Sequence, residues 1–270
     1  IAPHTFGLGV SGGHQGADSP AFQDMCAAAL RAHIDTYPDV DSYIISMPEF
    51  HAEDTPYEAA WQRLDKKYHL SRVHTLEQLL DQAAARHDYP GGATRIVRAV
   101  KGDIVALDLF DRLLDEKKIL DDCVKPDADI RFTAVSEELA EVYNQMRPGG
   151  VFTCAAYYTS AHAAQRTEAF ERLGKAGVRP ILTMTTQDDN IGVLPQLSTA
   201  SIHELLGVMR RCNWEGFGLR YWMITEMDPT AAYLSAVTWD DSATPESAYR
   251  DHAQALCGEE ARDDLVKCFN

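Results

Sequence analysis

Two carboxylates stand at positions where chemistry is expected. Glu49 follows the apolar run Asp41–Met47, placed after Pro48 and before Phe50 and His51. Asp189 lies in Thr185-Thr186-Gln187-Asp188-Asp189-Asn190, where a second apolar run ends. A Glu fixed by a proline and flanked by an aromatic ring suits a general acid, because partial burial lifts its pKa toward neutrality. A second, ionised carboxylate serves as base or nucleophile, and hydrolysis at an anomeric carbon requires such a pair. Glu49 and Asp189 are therefore the expected catalytic residues. The plainer readings are a capping or salt-bridged Glu and a polar turn at 187–190.

The residues expected to hold a substrate lie at similar points. His14 follows Ser11-Gly12-Gly13, where two glycines let backbone approach a ligand. Tyr158 follows the run Val151–Tyr157, and Asp188 and Asn190 flank the catalytic Asp189. Arg220 and Trp222 offer an anion clamp and an aromatic platform. Aromatic faces with Asp, Asn and Arg are what recognition of a carbohydrate needs, since sugar rings combine apolar faces with many hydroxyls. Tyr157 reads equally well as core packing, and Asp228-Pro229 as a helix cap with proline at the first helical position.

Elements that would position these groups follow from the apolar periodicity. Strand patterns occur at residues 4–10, 41–47, 129–135, 151–157, 179–185 and 216–222. Helical patterns follow most of them, near 19–36, from Ser136 onward, and at 161–175 and 198–212. Residues 52–128 read as a helical insertion, with periodicity around 56–68, 75–88 and 93–120. Gly102–Leu107 has some strand character, but Ile96, Val100, Ile104 and Leu107 keep helical spacing through it. The tail, 229–270, is helical. Strands alternating with helices imply βαβ units and a parallel sheet, and ligands of such sheets bind beyond the carboxyl ends of the strands. The expected fold is an α/β (β/α)8 barrel, incomplete at its N-terminus, forming one domain over 1–270. An open doubly wound sheet is the alternative.

Composition narrows the partners. Forty-one acidic residues against 25 basic ones leave a formal charge of −16. Such a surface repels phosphate backbones and anionic lipid, so neither nucleic acid nor membrane is expected as a partner. No apolar run reaches the length needed to cross a bilayer. The chain opens on Ile1-Ala2-Pro3, with no initiator Met and no signal-peptide pattern, which reads as a soluble protein with a cut or processed start and leaves the compartment open. No Gly-x-Gly-x-x-Gly follows the first strand, no His-x-His or His-Glu-x-x-His occurs, and the six cysteines form no Cys-x-x-Cys, so neither a cofactor nor a bound metal is expected. The cysteines read as buried thiols, with a Cys257–Cys268 bridge the one pairing worth testing.

The C-terminal half carries a resemblance. Gln187-Asp188-Asp189-Asn190, Trp214-Glu215-Gly216-Phe217, Arg220-Tyr221-Trp222 and Ala231-Ala232-Tyr233-Leu234 through Trp239 resemble the end of glycoside hydrolase barrels of the α-glucuronidase and hexosaminidase kind. Asp41 to Glu49 looks like a strand of that kind bearing its catalytic Glu. The likeness spans 1–50 and 125–260 in outline. It implies hydrolysis of a terminal sugar, an acidic one if Arg220 holds it. Two alternatives stand beside this: a metal-dependent barrel hydrolase using His14, Glu49, His51 and Asp189, and a sugar-binding barrel without catalysis.

Overall fold

The computed structural model describes residues 16–46, 56–88, 91–121, 128–133, 135–157, 159–186, 197–220 and 228–269. Its contacts divide into two compact units, Ile1–Cys154 with Lys175–Pro180 and Ala155–Gly174 with Ile181–Asn270.

In the first unit, α1 (Pro20–Thr36) starts where Ser19 accepts the Phe22 N–H and Pro20 takes the first helical position, as its sequence requires. Then come β1 (Ser42–Ser46), α2 (Tyr57–Tyr68), α3 (Leu76–Ala85) and α4 (Gly92–Asp115). A capping box opens α3: the Thr75 hydroxyl accepts the Gln78 N–H while the Gln78 side chain accepts the Thr75 N–H. Three further elements complete the unit: β2 (Asp129–Thr133), α5 (Ala140–Met146) and β3 (Val151–Cys154). Between β1 and β2 the described residues form α2, α3 and α4. Gly102–Leu107 lies inside α4, where Ile96, Val100, Ile104 and Leu107 are all buried.

β1 runs parallel to β2 in the register Ser42↔Asp129 to Ser46↔Thr133, and β2 runs parallel to β3 with Phe132 opposite Phe152. Tyr43, Ile45, Phe132 and Phe152 share one face, and all are buried. Phe132 stacks on Phe110 of α4 at 4.9 Å between ring centroids and meets Tyr143 of α5 edge-on at 6.0 Å. On the opposite face Ile44 is 63 % exposed.

The second unit holds α6 (Ser160–Gln165), α7 (Thr167–Gly174), most of β4 (Arg179–Thr185), α8 (Thr199–Arg211), β5 (Gly216–Arg220), α9 (Asp228–Val237) and α10 (Pro245–Phe269). β4 and β5 are parallel from Ile181↔Gly216 to Thr185↔Arg220. Trp214 packs on Phe170 with centroids 4.5 Å apart and donates its indole N–H to the Phe170 carbonyl at 3.1 Å.

The helical tail folds back on itself. Tyr249 and Phe269 would stand about 30 Å apart on a straight helix, yet their ring centroids are 5.3 Å apart. Gly258, at φ 76°, makes the reversal. Tyr249, Ala253 and Val266 bury themselves between the two arms. This hairpin separates Cys257, beside the turn, from Cys268, near the far end. Both are exposed thiols rather than a bridge, while Cys26, Cys154 and Cys212 are buried thiols.

The strands do not close into the expected barrel. Among the described residues they form one five-stranded sheet in the sequential order β1-β2-β3-β4-β5, with no eight-stranded ring. Among the described residues β1 and β5 each pair on one side only, whereas a barrel closes because every strand has two partners. A sequential order also lacks the reversal that defines a doubly wound sheet. Periodicity reports that a segment is a strand. It does not report how many neighbours that strand has.

Candidate functional site

Most of the expected site residues lie outside the described residues: His14, Glu49, His51, Tyr158, Asp188, Asp189, Asn190 and Trp222. Arg220 is the exception, its backbone forming the last position of β5. What the structure does describe is the strand ends from which these residues follow.

In the second unit the parallel register sets Thr185 beside Arg220. Thr185 and Arg220 are the last residues of their strands, and Asp188, Asp189, Asn190 and Trp222 follow them in sequence outside the described residues. Registered partners in a parallel pair share a face, so Ile181 and Thr183 stand alongside Gly216 and Gly218. A methyl group built on Gly216 or Gly218 would meet nothing within 4 Å among the described residues. Thr186, the residue after β4, is buried, and its carbonyl accepts the Ser198 hydroxyl at 2.6 Å, linking the strand end to the start of α8. Tyr157 is half-buried and stacks on His162 of α6 at 4.8 Å, and the Thr159 hydroxyl meets His162 Nδ1 at 2.7 Å.

In the first unit the carboxyl ends of β1 and β2 are paired through Ser46↔Thr133, and Glu49 follows Ser46 by three positions. Beside the end of β2 lies a buried acidic cluster that no motif announces. Asp103 of α4 accepts the Ser136 N–H at 2.8 Å and the Ser136 hydroxyl as well. Glu137 and Glu138 are both buried and face Arg86, with Arg86 Nη1 2.8 Å from Glu138 Oε1 and 3.6 Å from Glu137 Oε2. Burial pushes the Asp103 carboxyl up to about 7; the Ser136 hydrogen bonds pull it back, and the Glu138 charge raises it again. Glu138 Oε2 is buried with no hydrogen-bond partner among the described residues. A signal for this cluster exists in the sequence: from Gly102 to Phe110 only Asp103 and Asp108 interrupt an apolar run, and an acid buried in such a run must find a partner.

A second network joins α2 to α4. Asp108, 2 % exposed, is gripped by Arg63, with Nε 3.0 Å from Oδ1 and Nη2 2.7 Å from Oδ2, and by Arg112 at 2.8 Å. Asp18 bridges the same two guanidinium groups at 2.8 and 2.9 Å. Two carboxylates face two guanidinium groups, with Arg112 Nε buried and without a hydrogen-bond partner among the described residues, and we assign this network to holding the helices together. Among the described residues, no group of three or more His, Cys, Asp or Glu is arranged to hold a metal ion, and no helix is long and apolar enough to cross a membrane. The chain matches no family model, no curated protein and no solved structure.

Proposed function

We propose that the chain hydrolyses a terminal sugar, with Glu49 as general acid and Asp189 as base or nucleophile. The observation that supports this reading is the pairing Thr185↔Arg220 at the carboxyl edge of a parallel sheet. Residues 187–190 and Tyr221-Trp222 follow these two strand ends in sequence, and ligands of parallel α/β sheets bind beyond the carboxyl ends of the strands. Carboxylate, amide, guanidinium and indole groups leaving one edge can hydrogen-bond sugar hydroxyls and stack on a ring face. In this reading Asp188, Asn190, Arg220 and Trp222 hold the sugar, and His14 and Tyr158 complete its binding. Arg220 favours an acidic sugar, whose carboxylate it can hold with two parallel hydrogen bonds.

The test is a screen of chromogenic glycosides, including uronides, against the parent chain and the Glu49→Gln and Asp189→Asn variants. Each variant is expected to retain saccharide binding and to lose turnover by a factor of about 100 or more, as removal of a general acid or base does. Saccharide binding without turnover in the parent would assign the chain to carbohydrate recognition alone. Turnover lost in chelator and restored by zinc or manganese would assign it to metal-dependent hydrolysis.

A further inference from the structure

The first turn of α8 offers backbone N–H groups that nothing in the described structure accepts. Thr199, Ala200 and Ser201 begin the helix, where no carbonyl one turn back exists to receive their protons. Ser198, at the N-cap, does not supply the missing acceptor, because its hydroxyl turns away and donates to the Thr186 carbonyl. No acidic side chain occupies this first turn. The first turn of α9 abuts it: Thr199 Oγ1 and Thr230 Oγ1 lie 2.8 Å apart, both residues wholly buried. Each helix start carries about half a positive charge, so two in contact favour a negative group between or beside them.

A separate observation points to a ligand. Thr186 is 2 % exposed, and its hydroxyl has no hydrogen-bond partner among the described residues. This residue stands against the α8 N-terminus, since its carbonyl holds the Ser198 hydroxyl. A buried hydroxyl without a partner is unfavourable, and beside unsatisfied N–H groups an acceptor would relieve both. The one carboxylate in the first turn of α9, Asp228, is exposed, and Glu204 lies a turn further along α8, also exposed.

We infer that this corner, at the carboxyl end of β4, binds the oxyanion of a small molecule, a phosphoryl or carboxylate group. The first-turn N–H groups of α8 and the Thr186 hydroxyl are its donors. Helix N-termini bind such groups because dipole and free donors point the same way. Thr186 precedes Asp188 by two residues, so this site adjoins the one proposed for the sugar, but the inference does not rest on hydrolysis and binding can be measured without any turnover.

Inorganic phosphate and acetate are titrated into the full chain at low ionic strength, following the amide resonances of Ala200 and Ser201 and the thermal midpoint. One saturable site per chain is expected, with tighter phosphate binding assigning a phosphoryl ligand and tighter acetate binding a carboxylate. Ala200→Asp, at an exposed first-turn position, places a carboxylate where the ligand would sit. It is expected to weaken binding at least tenfold while holding or raising the midpoint in ligand-free buffer, which separates loss of the site from loss of the fold. Thr186→Val, which keeps the shape and removes the donor, is expected to weaken binding severalfold. Equal binding by the parent and Ala200→Asp would overturn the inference, as would unmoved amide resonances in the parent.

Discussion

Asp103, midway along α4, accepts the Ser136 N–H at 2.8 Å across 33 residues of sequence, tying the helical insertion to the end of β2. Because burial raises this carboxyl from 3.8 to about 7, the folded chain prefers the protonated acid. The associated stability is complete below the unfolded pKa and is lost as the pH rises through the folded one. An amide at this position, in Asp103→Asn, would keep an acceptor for Ser136 and never ionise. The unfolding free energy of the parent in urea should therefore fall between pH 5 and pH 8 relative to that of Asp103→Asn. The expected fall is roughly 2–4 kcal/mol, since a tenfold change in proton affinity is worth about 1.4 kcal/mol. Parallel pH profiles for the two proteins would refute this account.

Asp108 answers two arginines at once, with Arg63 and Arg112 converging on a carboxylate that is 2 % exposed. Its removal leaves guanidinium charge facing a buried gap. Asp108→Ala is expected to lower unfolding stability by about 3 kcal/mol. Asp18→Ala, which touches the same arginines from a position 40 % exposed, is expected to cost well under half as much. Equal losses from the two variants would show that burial does not set the value of this network.

Glycines at two positions separate close packing from open space. A side chain at Gly174 would collide with the Cys212 carbonyl, where the end of α7 meets the end of α8. Since that neighbour is backbone, it has little room to yield. Gly174→Ala should lose roughly 2 kcal/mol or more by overpacking, whereas Gly218→Ala, on the open face of β5, should be neutral or mildly stabilising. Thermal unfolding of the two variants decides the matter, and a costly Gly218→Ala would mean that the face is filled.

Much of the element list could be read from local patterns. α1 and α3 begin where their capping residues stand, at Ser19 and Thr75, and the spacing of Ile96, Val100, Ile104 and Leu107 identifies α4 through a stretch with strand character. Five of the six strand patterns appear in the described sheet, while residues 4–10 lie outside the described residues. These features are set within a turn or two of backbone, so neighbouring residues are enough to specify them. The reversal at Gly258 has no comparable local signal, because a single glycine in a helical pattern is ordinarily tolerated at small cost.

Strand count, sheet closure and the buried acids belong to the other category. Nothing in the run Ser42–Ser46 says that Ile44 faces outward at 63 % exposure, since that depends on what covers the sheet from far along the chain. Asp103 looks like any helical aspartate until Ser136 and Glu138 close over it. Local residue patterns suffice to say which segments are strands or helices and which polar groups follow the strand ends. That the five described strands lie in sequential order in one sheet, and that the α4 acid Asp103 has its pKa lifted to about 7, became visible in the packed chain alone. Hydrogen-bond partners across a sheet and the solvent lost on burial are set by residues distant in sequence, so they emerge after the chain has folded.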